Sequence, residues 1–257
     1  MKEYLRKENV AENEEQFKYL LRTYIKRDGA NVEELIKKLE SSDFFYAPAT
    51  TQYYGAFYGG LCEHSLCVFQ NLVTLVERSL LQNSYYDGEL CLINPDSKLF
   101  ESLVIIGLLH DICKMNRYIP SVKNVKQYNR DGKQHDAMGD YDWVSVSTYQ
   151  SKPIEERFVY GTDGETSEFM IRQYIPLTFE ESIAIINTKG DTDNNSNRGS
   201  QLASIFNKYD LPVLLHCADM LACYIDDLTQ ETNYDKYDEQ NTTETVKTLQ
   251  EGENPNS

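Results

Sequence analysis

The sequence predicts a mainly α fold carrying a small inserted β-hairpin, and three observations lead to that expectation. Apolar residues recur at helical spacing over much of the first 115 positions and again after about residue 165. The only long stretch of short, alternating pieces lies between residues 118 and 160. Several histidines and aspartates stand inside the most apolar helical runs, where polar groups are seldom found without a partner.

Residues 14 to 41 hold two helical patterns, EEQFKYLLRTYIKR and VEELIKKLESS, joined by the turn pair Asp28-Gly29. They are read as an N-terminal helical pair over 1–43. The next segment, SSDFFYAPATTQYYGAFYGG, is aromatic, broken by Pro48 and closed by Gly59-Gly60, so it is read as irregular chain lying over a pocket or core. In LCEHSLCVFQNLVTLVERSLL, residues 61 to 81, the positions Leu61, Leu66, Phe69, Leu72, Val73 and Val76 form one helical stripe. After the polar loop QNSYYDGEL, residues 99 to 115 (LFESLVIIGLLHDICKM) are apolar nearly all round, which predicts a buried central helix.

RYIPSVKNVKQY and WVSVSTYQ flank a turn-rich segment containing Asp131-Gly132, the pattern of a hairpin. Helical patterns return at 165 to 175, after Thr178, at 200 to 208 and at 211 to 228. The main domain is therefore expected over 44–228, with the hairpin inserted at about 118–160. The tail at 229–257 is polar, acidic and poor in large apolar groups, so disorder is expected there. No internal repeat is present.

A chain of 257 residues is ample for burying a core. Its formal charge of −16 disfavours a broad polyanion-binding surface, so duplex nucleic acid is not an expected partner. A small nucleotide remains compatible, because its phosphates can be neutralised locally by a metal ion and one or two lysines. The polar N-terminus lacks the apolar core of a signal peptide, and no stretch approaches the roughly 20 apolar residues of a membrane span. A soluble, cytoplasmic protein with no membrane partner is expected. The six cysteines, at 62, 67, 91, 113, 217 and 223, form no CxxC pair and read as reduced core residues.

Of the four histidines, His64, His110 and His216 lie in apolar helical runs. His110 is followed by Asp111, and a further acid, Asp219, lies in LLHCADMLA. One reading makes His110-Asp111 a buried ion pair and the others satisfied core groups. The joint pattern favours another: His64, His110, Asp111 and Asp219 as a nitrogen and oxygen cage for one divalent ion of the Mn, Fe, Co, Ni or Zn type, with Mg compatible. A water held by such an ion is a nucleophile at neutral pH, and the ion also polarises a phosphoryl oxygen.

The order His64, His110-Asp111, Asp219 resembles the H…HD…D signature of the HD superfamily. GGLCEHSLCV, LLHDICK and FNKYDLPVLLHCADMLACYI resemble the helices around its first ligand, its HD pair and its last ligand. The stretch from about Phe45 to Asp227 resembles HD proteins of bacteriophages and Gram-positive bacteria, and is similar to the HD part of a group of 3′-to-5′ exoribonucleases. The resemblance implies an all-helical core and metal-dependent phosphohydrolysis, with Asp111 as a catalytic ligand. Lys114 completes an HDxxK word whose lysine faces substrate phosphate in the family. Arg117 and Tyr118 are further substrate-side candidates, and a solvated lysine at a helix end is the plainer alternative for Lys114.

Dinuclear members of that family carry two more histidines between the HD pair and the last aspartate. At the corresponding places, in YGTDGETSEF and IAIINTKGD, this chain has Asp163 and Thr188, and the only histidine between is His135, in a polar turn-rich segment. One metal ion is therefore expected, with Asp163 or Glu165 as oxygen donors that would change the count. His216 is either an orienting partner of a ligand or a core histidine bonded to a carbonyl. The aromatics from Phe44 to Tyr58 are read as packing, with base stacking as the alternative. The expected activity is hydrolysis of a nucleotide or other small phosphoester through a metal-activated water. A 3′-to-5′ nuclease acting on short single strands, and a non-catalytic nucleotide- or protein-binding HD module of regulatory or anti-defence type, are the alternatives.

Overall fold

A computed structural model of the chain describes residues 2–83, 93–190 and 196–226. It is mainly α. The helices are α1 (Lys2–Tyr24), α2 (Val32–Glu40), α3 (Gly60–Asn83), α4 (Lys98–Leu109), α5 (Asp163–Arg172), α6 (Phe179–Ile186), α7 (Ser196–Phe206) and α8 (Asp210–Tyr224). Their starts are written locally. Asn31 caps α2 by accepting from the Glu34 amide, and Ser97 caps α4 by accepting from Phe100. Two capping boxes, Thr162 with Glu165 and Thr178 with Glu181, open α5 and α6.

Helix α4 is the centre of the core, with every residue from Leu103 to Leu109 buried. Helices α3, α1 and α6 pack around it, and α8 lies against α3 and α6. Gly107 permits the closest approach, since a Cβ there would come within 2.9 Å of the Phe69 Cα on α3. Phe17, Phe44 and Phe45 form a tilted and edge-on aromatic cluster beneath α1, so the first two aromatics of the irregular segment are core residues. A charged strut crosses the core edge. The fully buried Glu181 carboxylate accepts from both terminal nitrogens of Arg27, at 2.7 Å each, and from Ser102 Oγ at 2.6 Å.

The central helix stops earlier than its apolar run predicts. It ends at Leu109, His110 caps it, Asp111 leaves helical geometry (φ −109°, ψ 19°), and a 3₁₀ turn spans Ile112–Lys114. Asn116, with φ 57°, then turns the chain into the insertion.

The insertion has three strands, where the sequence led us to expect a hairpin: β1 (Tyr118–Tyr128), β2 (Gln134–Asp136) and β3 (Gly139–Ser151), in the order β1-β3-β2. The long pair runs from Tyr118↔Ser151 to Tyr128↔Tyr141, and the connecting chain folds back to pair with β3 itself, through Asp136↔Gly139 at the turn. Pro120 lies on the edge strand β1, where a missing N–H is tolerated. Val122, Trp143 and Val146 are exposed, and only Tyr141, under the Lys126 ammonium at 4.3 Å from its ring centre, is buried. The sheet is an arm, not a part of the core.

Among the described residues no helix is long and apolar enough to cross a membrane. Cys62, Cys113 and Cys223 are buried and Cys67 partly so, whereas Cys217 faces outward on α8, against its reading as a core residue. Cys91 and the tail expected at 229–257 lie outside the described residues.

Candidate metal centre

His64 comes from the first turns of α3, whose start is set by contact: a Cβ at Gly60 would lie 2.1 Å from the Gly55 carbonyl oxygen. His110 and Asp111 come from the end of α4, and Asp219 from the middle of α8. These four side chains are buried, and one ligand-type atom from each lies within 4.8 Å of the others. His64 Nε2 stands 3.1 Å from Asp219 Oδ1 and 3.6 Å from Asp111 Oδ2. Adjacent residues on an unbroken helix point about 100° apart. The departure from helical geometry at Asp111 lets both members of the pair face one cavity.

The His110 ring is oriented by its own helix. Its Nδ1 lies 2.9 Å from the Gly107 carbonyl, which only accepts, so Nδ1 carries a hydrogen and Nε2 is the ring nitrogen turned toward the cluster. That Nε2 is buried without a hydrogen-bond partner, 3.5 Å from Asp111 Oδ2 and 3.6 Å from Asp219 Oδ1. A buried polar atom left in this state calls for a missing partner. With two imidazole nitrogens and two carboxylates converging, the donor set fits a divalent ion of borderline hardness.

Two lysines complete the cluster. Lys114 Nζ is 2.7 Å from Asp111 Oδ2, and Lys189 Nζ is 3.2 Å from the same oxygen and 3.3 Å from Asp219 Oδ2. Burial opposes ionisation of both carboxyls, yet Lys114 and Lys189 beside Asp111, and Lys189 with the histidines beside Asp219, hold them well below the usual carboxylate range. Both lysines are in turn held above their ordinary value by the carboxylates, against their own desolvation. Burial pulls His64 down, while Asp111 and Asp219 overcome burial at His110 and raise it to about 9. Tyr54 covers the site from the aromatic segment. Its ring sits 4.9 Å from that of His64, its hydroxyl is 3.2 Å from Lys114 Nζ, and burial raises its pKa to about 12.

The structure thus brings His64, His110, Asp111, Lys114 and Asp219 together. It places Arg117 differently. Arg117 donates to Asp163 Oδ1 at 2.8 Å, and both line a cavity of about 540 Å³ with Met170, Arg157 and Phe158, into which none of the four candidate ligands projects. Tyr118 opens β1 and is half-buried. Asp163 therefore stands outside the cluster, and Glu165 is engaged in capping α5. His135 lies on the exposed arm, 2.6 Å from Asp140. His216 donates through Nδ1 to the Thr188 carbonyl at 2.7 Å, and the Thr188 hydroxyl bonds back to the end of α6. A second, shallower cleft of about 290 Å³ reaches the ligand side through Tyr54 and His64.

Sequence reasoning missed Lys189 and Tyr54. Lys189 follows the position at which a second-metal histidine was sought, which was the available signal. Tyr54 is one of seven aromatics in the fifteen residues from Phe44 to Tyr58 and carried none. Compared with models of known families, with curated proteins and with solved structures, the chain matches none.

Proposed function

We propose that the chain is a metal-dependent phosphohydrolase of the HD type, acting with one divalent ion on a nucleotide or another small phosphoester. The observation that carries this reading is His110 Nε2: a buried ring nitrogen without a hydrogen-bond partner, turned toward the carboxylates of Asp111 and Asp219 with the His64 imidazole beside it. A divalent ion held there by His64, His110, Asp111 and Asp219 would supply Lewis acidity and an activated water. The chain's own residues supply the rest. Lys114 and Lys189 place two ammonium groups beside the reacting position, in a buried setting where they oppose the negative charge that gathers on phosphoryl oxygens. The Gly107 carbonyl keeps His110 in the ligating tautomer. Tyr54 shields the site from water and holds the Lys114 ammonium.

The test is hydrolysis of mononucleotides, nucleoside triphosphates, cyclic nucleotides and a chromogenic phosphodiester by protein dialysed against Mn²⁺, Co²⁺ or Ni²⁺. His110→Ala and Asp111→Ala are expected to lose at least about a hundredfold in kcat, the order seen when a transition-state stabilising group is removed. Hydrolysis undiminished in both variants sinks the reading. The enclosure of the four ligand side chains favours one alternative, a binding module without turnover. Nucleotide binding that is tight, requires Mn²⁺ and leaves the nucleotide intact would select it.

A further inference from the structure

We infer that Lys189 is the second cation of this centre: its ammonium occupies the edge of the Asp111 and Asp219 carboxylates at which another metal ion would bind, and so limits the site to one. The inference rests on the metal-centre reading above and adds the residue that sets the ion count.

Asp219 turns its two oxygens to different groups. Oδ1 faces His64 Nε2 and His110 Nε2, whereas Oδ2 faces Lys189 Nζ at 3.3 Å. The same ammonium reaches Asp111 Oδ2 at 3.2 Å, the oxygen that both histidines also approach, so it bridges the two carboxylates and takes the Asp219 oxygen that the histidines leave free. A bridging cation between two carboxylates is what a second ion provides in a two-metal phosphoryl-transfer site, where the ions lie roughly 3.5–4 Å apart.

Charge leads to the same assignment. Two carboxylates against the ammoniums of Lys114 and Lys189 balance, so one divalent ion brings the buried cluster to two positive charges. Two divalent ions on the same carboxylates without the lysines reach the same total. The lysines therefore replace one ion's charge, and a second ion added beside them would be a further dication in a buried site, which is strongly opposed.

The loop that presents Lys189 is fixed for the purpose. Thr188 anchors to the last turn of α6 through its hydroxyl, and its carbonyl accepts from His216 Nδ1 on α8. Gly190 follows with φ 64°, and a Cβ there would meet the His216 ring at 3.0 Å, so the chain turns directly against the imidazole. His216 is thus a positioning residue that holds the lysine-bearing loop to the helix carrying Asp219.

The experiment measures Mn²⁺ stoichiometry of the full chain by equilibrium dialysis and elemental analysis, with thermal melts of the metal-free and Mn²⁺-saturated forms. Wild type and Lys189→Arg are expected to bind one Mn²⁺. Lys189→Ala is expected to bind two, and its metal-free form to melt lower than wild type and gain more from Mn²⁺. Lys189→Met keeps the aliphatic stem and removes only the charge, so it gives the same readout should the alanine variant fail to fold. One Mn²⁺ in the folded neutral variants, with wild type also at one, overturns the role of Lys189 and leaves the metal centre standing. No Mn²⁺ bound to wild type overturns the metal centre itself, and this inference with it.

Discussion

At Glu181 one carboxylate serves three elements. It closes the capping box of α6, takes both terminal nitrogens of Arg27 beyond the end of α1, and accepts from Ser102 on α4. Burial alone would raise its pKa, and Arg27, Ser102 and the Thr178 amide together bring it below the ordinary 4.5. A carboxyl depressed in the folded state adds stability above its unfolded pKa and loses it as pH falls through the folded value. Glu181→Ala is expected to cost about 1–3 kcal/mol near neutral pH, because the half-buried Arg27 loses its two-pronged partner and keeps only Glu101 and the Pro176 carbonyl. Urea midpoints of wild type and Glu181→Gln compared from pH 7 downward should converge below about pH 4.5. A constant gap across that range would refute the linkage. Glu181 was visible in the sequence only as an acid near a helix start, since its partner lies 154 residues away.

At the scale of elements, the packing of α4 on α3 sets the distance between the two candidate histidine ligands. A methyl group at Gly107 meets the Phe69 backbone at 2.9 Å, so the helices must separate. Gly107→Ala is expected to destabilise by about 1–3 kcal/mol and to weaken Mn²⁺ binding by roughly tenfold, the effect of disturbing a ligand's support. Calorimetric titration of the folded variant checks this, and unchanged affinity would show that the site tolerates the shift. The β arm stands at the other extreme. Joining Pro120 to Tyr149 through Asn-Gly, across a pair that is already in register, removes residues 121–148 and only one buried side chain, Tyr141. The melting free energy should change by no more than about 1 kcal/mol, although the Thr148 hydroxyl bond to the Thr51 carbonyl is lost. A larger fall would assign the arm a structural role that its exposure does not indicate.

For the whole molecule, the candidate centre joins α3, the end of α4, the loop after α6 and α8, so a bound ion would tie together elements from most of the described chain. Mn²⁺ at about a hundred times its dissociation constant is expected to add about 2.7 kcal/mol, a rise in Tm of roughly 5–10 °C. Asp219→Ala should abolish that rise, and differential scanning with and without EDTA measures it.

The sequence by itself determined the helical class and the identity of the buried polar quartet. Apolar periodicity is local, and a histidine or aspartate within an apolar run is anomalous whatever surrounds it. For the same reason His64, His110, Asp111 and Asp219 were legible before their proximity was known. Only the tertiary structure decided that α4 breaks at Asp111, that the insertion has three strands, that Asp163 pairs with Arg117 away from the cluster, and that Lys189 and Tyr54 complete it. Those outcomes depend on which side chains meet across the fold. A lysine in a loop or a tyrosine among tyrosines acquires its role from partners that no local pattern specifies.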